Sequence, residues 1–159
     1  MKLIPLTQGV FAQVDDEDFE YLNQFNWFAL KTKYTFYASR NIQIKGMWTT
    51  IRMHRVLMNT PRNQKVDHKD HYGLNNQKYN LRRCTDQQNQ GNRRKTKKAT
   101  SPLKGVSWHL FSQKWRAQIR INKIKIHLGL YTTEIEAALA YNEAAKKEFG
   151  EFACLNFSQ

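Results

Sequence analysis

Apolar side chains occupy every second position between residues 115 and 121, and the same period of two runs through residues 106–109 and 124–128. This alternation is typical of strands with one packed face and one solvated face. The sequence therefore predicts three strands, with Ile124 and Ile126 on the packed face. The solvated face is expected to carry a set of polar side chains, namely Arg116, Gln118, Arg120, Lys125 and His127.

An Ala-rich helix is predicted directly after these strands. Thr133 and Glu136 have the spacing of a capping box, and Gly150 suits the position after the last helical residue, Phe149. Three strands and one such helix are enough for a small domain. Its apolar side is expected to cover the sheet with Ile135, Ala138, Leu139, Ala145 and Phe149.

The N-terminal third is rich in aromatic and β-branched residues. Three such runs, at 25–30, 34–39 and 48–53, are separated by Lys, Thr or Gly and predict strands. Short helices are predicted at 15–24, where an acidic start suits a helix N-terminus, and at 54–59. We expect a β-rich N-terminal segment.

The region between residues 61 and 92 is poor in apolar residues and rich in His, Asp and Asn. Strands are predicted at 66–68 and 81–84, on either side of a polar loop. Thr85 and Gln88 then form a second capping box, so a helix is expected to begin at once. The predicted order is strand, loop, strand, helix, and the fold class of the whole chain is α+β.

The charge balance indicates a polyanionic partner. The chain has 159 residues, with 26 Lys and Arg against 13 Asp and Glu, a formal net charge of +13 and a pI near 9.9. The excess is concentrated between residues 82 and 125, whereas residues 1–24 are acidic. Such segregation favours nucleic acid over a membrane surface. A merely solvated basic surface is the alternative.

Cys84 and Cys154 are far apart and form no CxxC pair, so neither a zinc site nor a disulfide is expected. The first residues lack a signal-peptide apolar run, and no stretch has transmembrane length. These features predict a cytoplasmic protein with no membrane association.

Asp67, His68 and Asn89 are the candidate reactive groups. A carboxylate and an amide oxygen suit Mg²⁺ or a similar divalent cation such as Mn²⁺, which keeps water and phosphate oxygens as its other ligands. A neutral imidazole can take a proton from water near physiological pH. Asp67 and His68 are adjacent in a predicted strand, so they should point to opposite sides unless the strand is distorted. A polar loop with a hydrogen-bonded His is the alternative.

This region resembles the HNH endonucleases, specifically the phage and intron-encoded homing type. The residues that carry the resemblance are Val66-Asp67-His68, Asn75-Asn76, Asn80-Leu81-Arg82 and Gln88-Asn89, together with His54-Arg55 upstream. The resemblance implies a ββα-metal centre that cleaves double-stranded DNA and leaves 5′-phosphate and 3′-hydroxyl ends. It also implies a phage or bacterial host cell.

Residues 103–157 resemble the Apetala/ethylene-response-factor DNA-binding domain. The matching residues are Lys104-Gly105-Val106, Lys114-Trp115, Ile119-Arg120, Leu128-Gly129, Ala137-Ala138, Ala140-Tyr141 and Leu155-Asn156-Phe157. The two resemblances together match homing endonucleases that carry such a domain. They imply a nuclease domain over 1–92, a basic linker over 93–102 and a DNA-binding domain over 103–159.

The nuclease resemblance assigns roles residue by residue. His68 would be the general base that activates water, and Asp67 and Asn89 would hold the single divalent metal ion. Asn80 and Asn76 would fix the loop through hydrogen bonds rather than react. His71 stands where many relatives have Gly, so it either lies near the metal or faces solvent.

The C-terminal resemblance implies a sheet that enters the major groove of DNA. Contacts to bases or phosphates would come from Lys104, Arg116, Gln118, Arg120, Lys125 and His127. The linker residues Arg93, Arg94 and Lys95 would follow the DNA backbone, unless the linker is only solvated. Trp108 and Trp115 would stack on sugars or, alternatively, pack in the core.

Two other functions are compatible with the sequence. One is a DNA-binding regulator whose HNH centre is inactive, and the other is an RNA-binding module, although the aromatic motif of such modules is lacking. No protein partner is indicated, and the protein would act on DNA as a monomer or a dimer. The sequence leaves the target site open, as well as the choice between nicking and double-strand cleavage.

Overall fold

The structure is a computed structural model that describes residues 1–61, 63–95 and 100–157. It separates into two compact units, Met1–Thr85 and Asp86–Gln159. Residues 96–99 of the predicted basic linker lie outside the described residues. The domain limits predicted from the two resemblances stay predictions.

The first unit contains a hairpin, a three-stranded sheet and two short helices. In the sheet the order is β3-β4-β5 and both pairings are antiparallel. This confirms the β-rich N-terminal segment, whereas the hairpin β1-β2 was not expected from the sequence. The elements are β1 (Lys2–Pro5), β2 (Phe11–Val14), α1 (Asp16–Asn23), β3 (Phe28–Lys31), β4 (Phe36–Ile44), β5 (Met47–Arg52) and α2 (Met53–Leu57).

The core of this unit supports the polar region that follows it. Leu74 is buried, and its carbonyl accepts a 2.8 Å bond from the Gln13 amide of β2. The backbone amide of Asn76 donates a 2.8 Å hydrogen bond to the Gln13 carbonyl. The polar loop is therefore fixed to β2 on both sides of Asn75. The buried apolar side chains beneath it are Ile4, Ala12, Val14, Leu22, Trp27, Ala38, Met53 and Leu74.

Two short strands flank this loop, as predicted. β6 (Lys65–His68) pairs antiparallel with β7 (Leu81–Cys84). In this register Asp67 is opposite Arg82 and His68 is opposite Leu81. The pairing determines which side chains can meet across the hairpin.

The second unit begins with α3 (Asp86–Asn92), which starts at the predicted residue. A three-stranded antiparallel sheet of order β10-β9-β8 follows, and α4 packs against it. The predicted capping box between Thr133 and Glu136 is present, and Gly150 ends the helix with a positive φ of 52°. The elements of this layer are β8 (Val106–His109), β9 (Lys114–Ile121), β10 (Ile124–Tyr131) and α4 (Glu134–Phe149).

The predicted packing of this layer was wrong at four apolar positions. Ile135 and Leu139 are exposed, because α4 turns a different face, which carries Ala137, Ala138 and Tyr141, toward the interior. Ile124 and Ile126 are exposed too, since β10 is an edge strand and its first half is not covered. The helix residues that are buried are Ala137, Ala138, Tyr141, Asn142, Ala145 and Phe149. Within the described residues, no helix combines the length and the apolar character needed to cross a membrane.

Candidate active site

Asp67 forms a buried ion pair with Arg82. The Nε and Nη2 atoms of Arg82 lie 3.0 Å and 2.9 Å from Oδ2 of Asp67. Their side chains are only 12% and 8% exposed. The pair follows from the strand register, which sets the two residues directly opposite each other. A carboxylate that would be expensive to bury alone is thereby stabilised inside the fold.

His68 is buried next to a second histidine. The ring centroids of His68 and His54 are 4.9 Å apart, with the rings at 83° to each other. Tyr37 contacts both rings, at 5.8 Å from His68 and 5.4 Å from His54. The His68 imidazole is therefore packed between α2, which carries His54, and β4, which carries Tyr37.

Burial lowers the pKa of His68 from its usual value of 6.5. A hydrogen bond with Asn76 and the negative charges of Asp70 and Asp67 oppose this shift. The net direction is downward, so the imidazole is neutral near pH 7. A neutral imidazole is the form that can accept a proton from water.

His54 is the residue in this cluster that sequence reasoning did not single out as functional. Burial lowers its pKa well below 6.5, and the neighbouring His68, Arg52 and Arg55 lower it further. The Arg52 guanidinium lies 4.6 Å from the centre of the Tyr37 ring. In the sequence, His54 stood out only as part of the His54-Arg55 segment of the HNH resemblance. That segment alone does not indicate that His54 contacts His68.

Asn80 bonds across the loop between β6 and β7. Its Nδ2 donates to Oδ1 of Asp70 at 3.0 Å and to the carbonyl of Asn75 at 2.9 Å, while its Oδ1 accepts from the Asp70 amide at 3.1 Å. Asp70 was not among the predicted site residues, yet it also accepts bonds from Tyr72 and Asn75. Asn76 donates to the Leu74 carbonyl at 3.2 Å. Amide and carboxylate side chains thus determine the conformation of the loop.

His71 lies in the same loop with a positive φ of 65°. This left-handed conformation is one that Gly adopts readily and other residues adopt at a cost. The amide of His71 donates to the His68 carbonyl at 3.1 Å, which closes the turn after β6. The side chain is partly buried.

Asn89 belongs to α3 and therefore to the second unit, where it is half-buried. Among the described residues, no group of three or more His, Cys, Asp or Glu side chains could form an all-protein metal cage. Mg²⁺ is commonly held by one or two carboxylates, with water and phosphate oxygens completing its shell. A buried carboxylate at Asp67 fits that kind of ion.

Two of the predicted DNA-binding lysines make bonds within the second unit. Lys104 is half-buried, and its Nζ donates to the Gly91 carbonyl. Lys95 donates to the carbonyls of Leu103 and Val106. Both side chains therefore contribute to the fold of this unit.

The other predicted DNA-binding residues lie nearer the surface. Arg116 donates through Nε and Nη2 to Oγ of Ser107, at 3.3 Å and 3.2 Å. Trp108 and Trp115 stack edge to face at 5.1 Å, and Trp108 keeps 38% of its surface exposed. Of the remaining set, Gln118 is half-buried, and the exposed members are Arg93, Arg94, Arg120, Lys125 and His127.

Comparison with known proteins identifies the family. The chain is 32% identical over 150 residues to a protein of Acanthamoeba polyphaga mimivirus named "Uncharacterized HNH endonuclease L560". The aligned part covers 94% of this chain and 76% of the relative. No family model matches the chain. No solved structure matches it either. At this identity and coverage the chain belongs to the HNH endonuclease family.

Proposed function

We propose that the protein is a metal-dependent endonuclease that hydrolyses phosphodiester bonds of double-stranded DNA. The observation that carries this proposal is that Asp67 and His68, consecutive residues at the end of β6, are both buried there. They supply one carboxylate and one imidazole that can act as a base, in a chain with a net charge of +13. Membership of the HNH endonuclease family supports the same conclusion.

His68 would act as the general base. Its lowered pKa keeps the ring neutral at physiological pH, so it can accept a proton from a water molecule that attacks the scissile phosphate. His54 and Tyr37 pack against the ring and restrict its orientation. Such restriction favours catalysis because the base does not have to be ordered during the reaction.

Asp67, with Asn89, would hold a divalent cation such as Mg²⁺ or Mn²⁺. When bound, this ion would polarise the phosphate and stabilise the departing oxygen. Asn80 and Asn76 would keep the β6-β7 loop in the conformation that presents Asp67 and His68. Hydrolysis in this way would leave 5′-phosphate and 3′-hydroxyl ends, as expected of a homing-type enzyme.

The second unit would supply affinity for the duplex. Its exposed basic side chains offer positive charge to the phosphate backbone. The three-stranded sheet with one helix has the layout that the Apetala/ethylene-response-factor resemblance implies. We propose that Arg94, Arg116, Gln118 and His127 contact DNA from this unit.

End-group analysis of a cleaved, labelled duplex tests the proposal. The wild type with Mg²⁺ or Mn²⁺ is expected to give 5′-phosphate products, and EDTA is expected to abolish them. Asp67→Asn and Asn89→Ala should both lose cleavage and keep duplex binding. Products with 3′-phosphate ends, or full activity in EDTA, would contradict the proposed chemistry.

A DNA-binding regulator with an inactive centre is the second candidate. The specific observation in its favour is the ion pair between Arg82 and Oδ2 of Asp67, the proposed metal ligand. This contact competes with a metal ion for the same oxygen. Duplex binding without strand scission, across a range of divalent metals, would favour the regulator.

A further inference from the structure

The hairpin formed by β4 and β5 extends beyond the rest of its sheet. β3 pairs with β4 from Phe36 to Ser39, which are the first residues of that strand. Residues 40–51 continue as a two-stranded ribbon that turns at Lys45 and Gly46. All of its side chains are exposed or half-buried. At about 3.3 Å per residue, the ribbon projects about 15 Å past β3.

The two faces of this ribbon differ, because successive strand residues point to opposite sides. One face carries the cross-strand pairs Asn41–Thr50 and Gln43–Trp48, and we call it the polar face. The Thr50 hydroxyl donates to Oδ1 of Asn41 at 2.9 Å, and Gln43 donates to the Gly46 carbonyl at 3.1 Å. Trp48 is 73% exposed. The polar face therefore presents amides, a hydroxyl and an indole to the surroundings.

The polar face begins next to the candidate active site. At the base of the ribbon, the Arg52 guanidinium lies 4.6 Å from the centre of the Tyr37 ring, and both residues belong to the same face of the sheet as Asn41. Tyr37 in turn contacts the rings of His54 and His68. A duplex cleaved at His68 would therefore pass beside the ribbon.

The charge of this part of the chain favours a polyanion. The sequence has no Asp or Glu between Glu20 and Asp67. Within the hairpin, Lys45 is exposed at the tip and Arg52 is half-buried at the base. This stretch is separate from the basic region at 82–125. Its charge is complementary to double-stranded DNA, the polyanion of the proposed function.

The side chains of the polar face are of the kinds that read base edges. Amides such as Asn41 and Gln43 can bond to N6 and N7 of adenine, and a hydroxyl such as that of Thr50 can bond to several bases. These edges are displayed in the major groove. At about 12 Å this groove admits a two-stranded ribbon, whereas the minor groove is only about 6 Å wide.

We propose that the polar face of the ribbon enters the major groove of double-stranded DNA and reads base edges through Asn41, Gln43, Trp48 and Thr50. The inference rests on the proposed function, because duplex DNA is the proposed substrate. None of these four residues is among those predicted to bind DNA. Sequence recognition would then come from the first unit as well as from the second.

Selection of bound duplexes from a random library tests the inference. The full-length protein is used in EDTA, so that no strand is cut, and the bound DNA is sequenced. Gln43→Ala, Trp48→Ala and Thr50→Ala change the polar face. Thr49→Ala is the matched control, since Thr49 is exposed, adjacent to Thr50 and on the opposite face of the ribbon. Thermal melting checks that every variant is folded.

The wild type is expected to select a preferred sequence, and each polar-face variant should lose part of that preference. On the preferred duplex, Gln43→Ala should bind about fivefold or more weakly, with little change on an unrelated duplex. Thr49→Ala should select the wild-type sequence. At the positions that Gln43→Ala affects, 7-deazapurines remove a major-groove acceptor and should weaken wild-type binding. At the same positions 3-deazapurines, which remove a minor-groove acceptor, should not.

A wild type without a preferred sequence, or an unchanged preference in the folded polar-face variants, would overturn the inference. Metal-dependent plasmid cleavage by the same variants would show that the nuclease proposal survives. Equal losses on both duplexes would also overturn base reading, because the contact would then be to the backbone.

Sedimentation tests a second copy of the chain as the occupant of the ribbon, since β5 is an edge strand. If the wild type is a dimer and Trp48→Ala is a monomer with unchanged DNA selection, the DNA assignment is wrong. If the wild type binds no duplex, the proposed function fails as well.

Discussion

Arg82 and Asp67 form an ion pair across the β6-β7 hairpin, with Nη2 of Arg82 2.9 Å from Oδ2 of Asp67. Asp67 is also the carboxylate proposed to hold the metal ion. Arg82 therefore stabilises the charged Asp67 carboxylate in a buried position. If Asp67 holds a cation as proposed, the same guanidinium would have to share this carboxylate with it.

Removing Arg82 alone is expected to destabilise the protein strongly. Arg82→Met would leave the Asp67 carboxylate buried without its guanidinium, and breaking such a pair costs about 3 kcal/mol or more. Urea unfolding measures the change in the free energy of unfolding. The double variant Asp67→Leu with Arg82→Met removes both charges and should be less destabilised than Arg82→Met. A double variant as unstable as the sum of its single variants would contradict the pairing.

Acid should weaken the fold through His54. In the unfolded chain a histidine takes up a proton near pH 6.5, whereas in the folded protein burial lowers the pKa of His54 well below that value. Below about pH 6.5 the unfolded state therefore binds more protons, and the free energy of unfolding falls as pH falls. The loss amounts to about 1.4 kcal/mol for each unit of pKa difference.

Urea unfolding at about pH 7.5 and about pH 5.5 measures this effect. His54→Asn should show a smaller stability loss between the two conditions than the wild type. His127→Gln is the control, since His127 is exposed and its replacement should leave the loss unchanged. Equal losses in the wild type and in His54→Asn would show that His54 does not govern the acid response.

The left-handed conformation of His71 predicts a stabilising substitution. A non-glycine residue at φ 65° destabilises the folded state by about 1 kcal/mol. Glycine removes this strain, but its greater conformational entropy in the unfolded chain offsets part of the gain. His71→Gly should therefore raise the free energy of unfolding by about 0.5 kcal/mol and retain cleavage. His71→Ala keeps the backbone cost and should not stabilise. If His71→Gly loses cleavage while His71→Ala keeps it, backbone rigidity at this turn matters more than strain.

Gly105 is expected to tolerate no side chain. It has a φ of +77°, and a Cβ there would lie 2.0 Å from Cδ2 of Tyr141. Gly105→Ala would have to displace a buried ring in addition to adopting a left-handed conformation. We expect a stability loss well above the 1–2 kcal/mol that the backbone alone costs. Circular dichroism melting of the variant measures it.

Gly46→Ala provides the matched control. Gly46 has a similar φ of +79°, and a Cβ there would meet nothing within 4 Å. Its replacement should lose only the backbone contribution, about 1 kcal/mol. Equal losses at the two glycines would show that the Tyr141 ring moves aside at little cost.

Local patterns predicted much of this fold. The period of two identified β8, β9 and β10, and capping boxes indicated the starts of α3 and α4. The hairpin β1-β2 was not predicted, because β1 contains Pro5, a residue that argues against a strand in a sequence pattern. Exposure also depends on distant packing, which is why the position of Ile126 on an uncovered edge strand was missed.

The candidate site was predictable only in part. Sequence patterns and the HNH resemblance pointed to Asp67 and His68, but the partners of these residues come from tertiary structure. Arg82 meets Asp67 because of the strand register. His54 meets His68 because α2 packs near β6. Neither contact can be read from a local pattern in the sequence.

Cleavage of a supercoiled plasmid by the wild type and by His68→Ala tests the central claim most directly. With Mg²⁺ the wild type is expected to nick or linearise the plasmid, and EDTA should stop the reaction. His68→Ala should lose about 10²-fold or more of the rate, as removal of a general base does, while His71→Ala in the same loop should cleave. A His68→Ala protein that cuts at the wild-type rate, or a wild type that binds DNA and never cuts it with any divalent metal, would contradict the account.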